Sequence, residues 1–183
     1  MNMHAKIVCS ALSIAWGVAV WADGDDFVSP LVGFFEGGVL CAQDSGVVRD
    51  APDTVAGTTH VVQEAPAFVS NGRLVPAVLG IGFGVRSGIA SEFGQEGVLM
   101  KVTHPAFEGS GASQQSFTTY IGPQSDPGVT FYRFDYGYEL ALGDWTMSAS
   151  YNGVKLYETT FTVVAPSALP ELADVCGYLD LIS

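Results

Sequence analysis

The chain has 183 residues, 48% of them hydrophobic and 14% charged, with 19 Asp and Glu against 7 Lys and Arg. That much apolar and aromatic mass argues against a disordered chain, and 161 to 183 residues is one domain with room for a core. A formal net charge of −12 repels phosphate backbones and anionic lipid heads, so no nucleic acid is expected as a partner.

Residues 1–22 read as a signal peptide. His4 and Lys6 give a weakly basic start, and Ile7 to Val20 is uncharged. Val20-Trp21-Ala22 then sets small residues at the two positions a signal peptidase reads. The apolar run falls short of the ~20 residues of a membrane span, so no stable membrane insertion is expected after cleavage. Removing the first 22 of 183 residues leaves 161 and a periplasmic or extracellular location. Cys41 and Cys176 survive cleavage, and an even count in an oxidising compartment predicts a Cys41–Cys176 disulfide.

Residues 23–74 are expected to form an N-terminal strand and a long loop packed on a sandwich. Asp23 to Asp26 is an acidic end that lacks the glycine and closing glutamate of a calcium loop. Leu31 to Cys41 reads as the first strand, Gln43 to Thr59 as a long loop, and His60 to Val62 as a short strand.

Leu74 to Arg86 is predicted as one strand, with Ala77, Leu79, Ile81, Phe83 and Val85 on one face. Gly80, Gly82 and Gly84 share the other, a face so bare that a neighbouring strand or loop should pack on its backbone. These glycines lie inside a strand with no helix after them, which is the wrong setting for a phosphate loop. Val98 to Thr103 and Ser116 to Ile121 are the next strands. His104-Pro105 stops the first of them, because proline has no amide to donate. Val129 to Tyr138 is predicted as a strand with Tyr132, Phe134, Tyr136 and Tyr138 on one face. Arg133 and Asp135 lie on the other, spaced for an ion pair. The aromatic stripe has two readings, core or exposed binding surface.

Gly143 to Val164 is predicted as a hairpin turning at Asn152-Gly153, the dipeptide suited to a type I′ turn. Trp145, Met147, Ala149 and Tyr151 alternate with polar residues. A two-residue turn alone would leave Phe161 and Val163 outside, so a bulge near Tyr157 to Thr160 is expected to return them to the core. Residues 165–183 form a tail with a short helix, in which Leu169, Leu172, Ala173 and Cys176 share one face and Gly177 is a C-cap. Strands separated by turns, without crossover helices, predict an all-β, antiparallel immunoglobulin-like β-sandwich with Greek-key connections, its core over residues 75–164.

A set of short motifs resembles a known family. They are Phe83-Gly84, His104-Pro105, Tyr132-Arg133-Phe134-Asp135, Glu139-Leu140, Leu142-Gly143, Trp145-Thr146, Asn152-Gly153 and Phe161-Thr162-Val163-Val164. In order and spacing this is similar to a bacterial domain-of-unknown-function family (number 3859), matching roughly Val75 to Val164. The resemblance implies an immunoglobulin-like fold and brings no activity, cofactor or catalytic residue. Ala106 stands where several family members carry a second proline.

For function, no cofactor or metal is expected: His60 and His104 lie outside any zinc-ligand spacing. No GxSxG elbow is present. The first expectation is an exported, non-catalytic module that binds a protein or envelope component through loops Gln43–Thr59 and Gly109–Gln115. Arg133, Asp135 and His104 are its binding residues. One alternative is a small extracytoplasmic hydrolase with His104 as base. Another is a small-ligand or glycan binder that uses the Tyr132–Tyr138 stripe. The oligomeric state is left open.

Overall fold

The structure, a computed structural model, describes residues 26–41, 46–62 and 64–177. The signal segment and the residues just after it, 1–25, lie outside the described residues, as do residues 42–45 at the start of the expected long loop.

Among the described residues the strands in chain order are β1 Phe27–Val28, β2 Val32–Cys41, β3 Val47–Asp50, β4 Thr58–Val61, β5 Phe68–Ser70 and β6 Leu74–Pro76. They continue with β7 Ile81–Ile89, β8 Gln95–Thr103, β9 Gln114–Ile121, β10 Gly128–Arg133, β11 Gly143–Tyr151 and β12 Val154–Val164. One sheet runs β1-β12-β11-β8-β9 with β6 added in parallel on β12. The second runs β10-β7-β2-β5, and β3 and β4 form a separate two-stranded arm.

The β11–β12 hairpin forms as its sequence dictates. Asn152 and Gly153 both take positive φ, 48° and 78°, as a type I′ turn requires. Trp145, Met147 and Ala149 are fully buried, and Phe161 and Val163 join them. A bulge does restore that parity, but it falls at Leu156 and not within Tyr157 to Thr160. Ala149 pairs with Tyr157 while Ser150 pairs with Lys155, leaving Leu156 as the extra residue. Leu156 and Tyr157 are therefore buried in succession, and the later odd-numbered residues face inward.

The expected single strand over Leu74 to Arg86 is two strands in different sheets. Pro76 has no amide to extend the β6 ladder. Gly80 turns the chain at φ 85°, donating its N–H to Phe134 O at 2.8 Å. The chain thus leaves one sheet as β6 and enters the other as β7. Of the three glycines expected on one bare face, Gly80 is a turn residue ahead of β7, and Gly84 and Gly82 are crowded by their ladder partners: a Cβ on Gly84 would lie 2.5 Å from Phe131 Cα, and one on Gly82 would lie 2.7 Å from a methyl of Leu40.

The expected strand over Val129 to Tyr138 ends at Arg133. Its last residues instead form a corner with a 3-10 turn over Gly137–Glu139. The aromatic stripe is split by that corner. Phe134 is fully buried, Tyr132 and Tyr138 are partly buried against the core, and Tyr136 is exposed with its ring stacked on Tyr138 at 5.3 Å.

The core between the sheets is organised on Trp145. Its ring meets those of Phe83, His104, Phe107, Tyr132 and Phe134, and its indole N–H donates to Ala141 O at 2.9 Å. At the far end, helix α1, Pro170–Asp174, buries Ala173; its C-cap is Val175 and not the expected Gly177, which turns the chain beyond it at φ 67° and donates to Asp174 O at 2.9 Å. Just before Gly177, Cys176 bonds Cys41 at the end of β2, closing a separation of 135 residues.

Candidate functional site

Sequence alternation explains why polar groups gather at one end of the sandwich. Gln115, Phe117, Thr119 and Ile121 share the inward parity of β9, so Gln115 is carried into the interior and is almost fully buried. His104 follows β8 at the position where the next inward residue falls, and it too is buried. Tyr132 near the end of β10 and Glu139 on the 3-10 turn approach from the other sheet.

These four side chains form one continuous chain of hydrogen bonds. His104 Nδ1 sits 2.9 Å from Pro105 O. A carbonyl only accepts, so Nδ1 carries the proton and Nε2 is left as an acceptor. Gln115 Nε2 supplies the donor for that nitrogen at 3.3 Å and a second for Tyr132 Oη at 3.1 Å. Its Oε1 accepts the N–H of Val55 at 2.9 Å. Tyr132 Oη then donates to Glu139 Oε1 at 2.6 Å, and Glu139 Oε2 accepts the N–H groups of Asp135 and Tyr136 at 2.6 and 2.8 Å. A glutamate reaching back to the amides ahead of its own turn is capping geometry.

Burial sets the protonation of these groups. It lowers the pKa of His104, against the pull of the Pro105 carbonyl, so the ring is held neutral. It raises Glu139 above the ordinary carboxyl range, outweighing the donors from Tyr132, Tyr136 and Asp135. Burial, with Glu139 beside it, also pushes the Tyr132 phenol upward. The His104 ring stacks on both Phe107 and Trp145, with centroids 3.9 and 4.6 Å away.

In front of this chain lies a cleft of about 110 Å³. Its back wall is Gln115, Tyr132 and Glu139, and its outer rim includes His60, Arg133, Asp135 and Tyr136. The structure brings Arg133 and Asp135 together, with Nε to Oδ1 at 2.5 Å. His104 does not join them. It stands behind Gln115 with its ring nitrogens on Gln115 and Pro105.

The β3–β4 arm covers this end of the molecule, where a long loop was expected. It touches the sandwich through Val55 N–H on Gln115 and through Ser116 N–H donating to Asp53 O at 3.2 Å. Ala51 is its one buried apolar side chain, while Val47 and Val48 are 60% and 57% exposed. Beyond the arm a second cavity of about 180 Å³ lies between Arg49–Asp53 and β9. Sequence reasoning missed Gln115 and the role of Glu139. The signal for Gln115 was available, since it shares the inward parity of Phe117 and Ile121. Nothing in the sequence pointed Glu139 at Tyr132.

The strand pairing defines the class. One sheet holds β2, β7 and β10 in the places of immunoglobulin strands A, B and E, and the other holds β12, β11, β8 and β9 as G, F, C and C′. This is an immunoglobulin-like β-sandwich. The chain belongs to the family described as Domain of unknown function (DUF3859), whose model matches residues 28–163, β2 included. No curated protein matches it. Among solved structures it is similar to an immunoglobulin-like protein from Pseudomonas aeruginosa, at 20% identity and a TM-score of 0.45, covering 78% of this chain and 99% of that one. It is also similar to a Pseudomonas fluorescens alkylpurine DNA glycosylase bound to DNA containing an abasic site analogue. There the identity is 13%, the TM-score 0.33, and the coverage 51% of this chain and 28% of the other.

Proposed function

We propose that this chain is an exported, non-catalytic sandwich module that binds a protein or a component of the cell envelope. The observation that carries the reading is the β3–β4 arm, which stands off the sandwich with a cavity on each side and with Val47, Val48 and Val61 exposed. Apolar side chains held out on a two-stranded ribbon gain little from this fold alone, because an isolated hairpin is marginal in water. They gain when a partner covers them. The Cys41–Cys176 bond fits an oxidising compartment. Against a hydrolase, each polar atom of the His104–Glu139 chain already has a partner, and the His104 imidazole abuts an amide where a base needs a nucleophile.

A cross-linking survey of envelope material tests this. The bait carries a photoreactive group at position 48 on the arm, with a group on β1 as control. A specific adduct from the arm that is missing from β1 is expected. An arm that yields only background in intact cells would remove the reading. Ester, peptide or glycan turnover lost in a folded His104→Ala protein would replace it with the hydrolase.

A further inference from the structure

Sheet edges are where one protein adds a strand to another, and folds protect them with shortness, charge, proline or a cover. The sandwich edges here differ in that respect. β1 is two residues long and β5 three, while β10 carries Arg133 and faces the arm across the cleft. β9 is eight residues, QQSFTTYI, with no charge, no proline and no glycine. In a chain of net charge −12 that is an unguarded edge.

Its backbone direction follows from two bonds. Ser116 N–H donates outward to Asp53 O at 3.2 Å, whereas His104 N–H of the neighbouring strand reaches Ser113 O at 3.0 Å. Backbone groups alternate sides along an antiparallel strand. Odd residues of β9 therefore pair with β8, and the even residues Ser116, Thr118 and Tyr120 face the open side. Asp53 fills the first of these places. At Thr118 and Tyr120 neither N–H has an acceptor among the described residues, and β9 pairs with no strand but β8. The side chains beside that row are Thr118, Tyr120 and, across on β8, Leu99, which are exposed hydroxyl, aromatic and apolar surface.

We propose that β9 is a strand-addition site, continuing from Asp53 the ladder that the arm begins, and that its occupant is an extended segment of a partner protein flanked by Lys or Arg. The basic flanks follow from charge. Exposed Glu92 and Glu96 stand by the Gln95–Ile121 pair at one end of the row and set its acidic pull, while at the other Asp50 and Asp53 line the cavity beside Arg49, with Lys101 across from Ser116. A second copy of this chain would bring its own net charge of −12 to the edge and meet overall repulsion. The proposal rests on the binding-module reading and names its surface.

The probe is a capped ten-residue peptide of alternating Val and Thr with Lys at both ends, titrated into the isotope-labelled protein. Backbone shifts are expected at Ser116 to Tyr120, with exchange of the Thr118 and Tyr120 amides slowed at least tenfold at saturation. Replacing the lysines by glutamate, or N-methylating alternate peptide amides, should each weaken binding at least tenfold. Thr118→Pro should abolish it with the circular dichroism spectrum unchanged, since that amide has no ladder partner to lose. The N-methyl peptide needs no protein variant, so an unfolded Thr118→Pro leaves the test standing. The proposal is overturned by no shift at millimolar peptide, by equal binding of the methylated peptide, or by a self-dimer that buries β9. If cross-linking through the arm persists in Thr118→Pro, the module reading stands and the β9 site falls. If the peptide binds β9 while the arm finds no envelope partner, the site stands and that reading falls.

Discussion

The β11–β12 hairpin and the β3–β4 arm share one kind of pairing, an antiparallel ladder between consecutive strands, closed by Asn152-Gly153 in the first and by residues 51–57 in the second, yet they are held in opposite ways. The first buries Trp145, Met147, Ala149, Tyr157, Phe161 and Val163 on its inner face. The second leaves all of β3 exposed and is tied to the sandwich by two hydrogen bonds. Strand propensity is much the same in both, with β-branched residues common to each. What differs is the surface available to cover them, so stability in this fold tracks burial and not hairpin formation. The arm should open locally at a small fraction of the free energy needed to unfold the hairpin at the centre.

The strongest way to break the comparison is to weaken the whole molecule. Cys41→Ser with Cys176→Ser releases a separation of 135 residues. In the chain-entropy model that costs about 5 kcal/mol. Urea unfolding should move by that order, while amide exchange of the arm, governed by local opening, should hardly change. Arm exchange that accelerates in step with global unfolding would show that the arm has no separate opening. Next in size is Trp145→Ala, which empties the space between Phe83, His104, Phe107, Tyr132 and Phe134. A loss of about 3–5 kcal/mol is expected from chemical denaturation. Val48→Thr on the arm should stay within about 0.5 kcal/mol. Comparable losses at the two sites would end the distinction.

The same contrast explains how much of the molecule was legible in the sequence. The central hairpin was readable because its period, its Asn152-Gly153 turn and the need for a bulge are all local signals. Even there the bulge lies at Leu156, since sequence parity says that a residue must be inserted and not where. The Leu74 to Arg86 run misled because alternation continues unbroken across a switch of sheets, and only tertiary pairing tells β6 from β7. Of the arm only the end of β4 was read as a strand, at His60 to Val62, and the rest as a loop, because an uncovered ribbon leaves no apolar alternation. The Tyr132 to Tyr138 stripe failed as one surface because the chain turns after Arg133, which redirects Tyr136 while leaving Phe134 inside. His104 and Arg133 were found one by one. The Gln115 amide that separates His104 from the cleft appears only when two sheets are stacked.

A smaller effect sharpens the role of that amide. Gln115→Leu keeps the volume but leaves Val55 N–H without its acceptor, and His104 Nε2 and Tyr132 Oη without their donor. A cost of about 1–3 kcal/mol follows for stranding buried polar groups. Unlike Trp145→Ala, it should act on the arm first. The Val55 amide should exchange faster by a larger factor than the amides of β11. Equal acceleration of both would mean that Gln115 supports the core alone.

A pH dependence is carried through the same amide. His104 is neutral in the fold because burial lowers its pKa, while in the unfolded chain it titrates near the ordinary value of about 6.5. Between its folded pKa and about 6.5 the unfolded state binds more protons, so stability rises with pH. The contribution is complete above about 6.5 and is lost as pH falls toward the folded value, by at most ~1.4 kcal/mol per pH unit. Glu139 acts with the opposite sign. Burial raises its folded pKa, so its contribution declines as pH rises through that value. The two are separated by His104→Asn, which removes the first slope and leaves the second. Protonation also has a direction in space. A proton on Nε2 turns an acceptor into a donor facing the Gln115 NH₂ group, and two donors cannot share that position. Rotating the amide would satisfy His104 through Oε1, but it would aim the NH₂ group at Val55 N–H and break the tether. Acid should therefore loosen the arm before it loosens the β11–β12 hairpin. Hydrogen exchange at pH 7 and pH 5, corrected for intrinsic rates, should show Val55 losing more protection than the amides around Trp145. His104→Asn should level that difference. A Val55 response to acid that survives in His104→Asn would place its source elsewhere and disconnect the arm from the histidine.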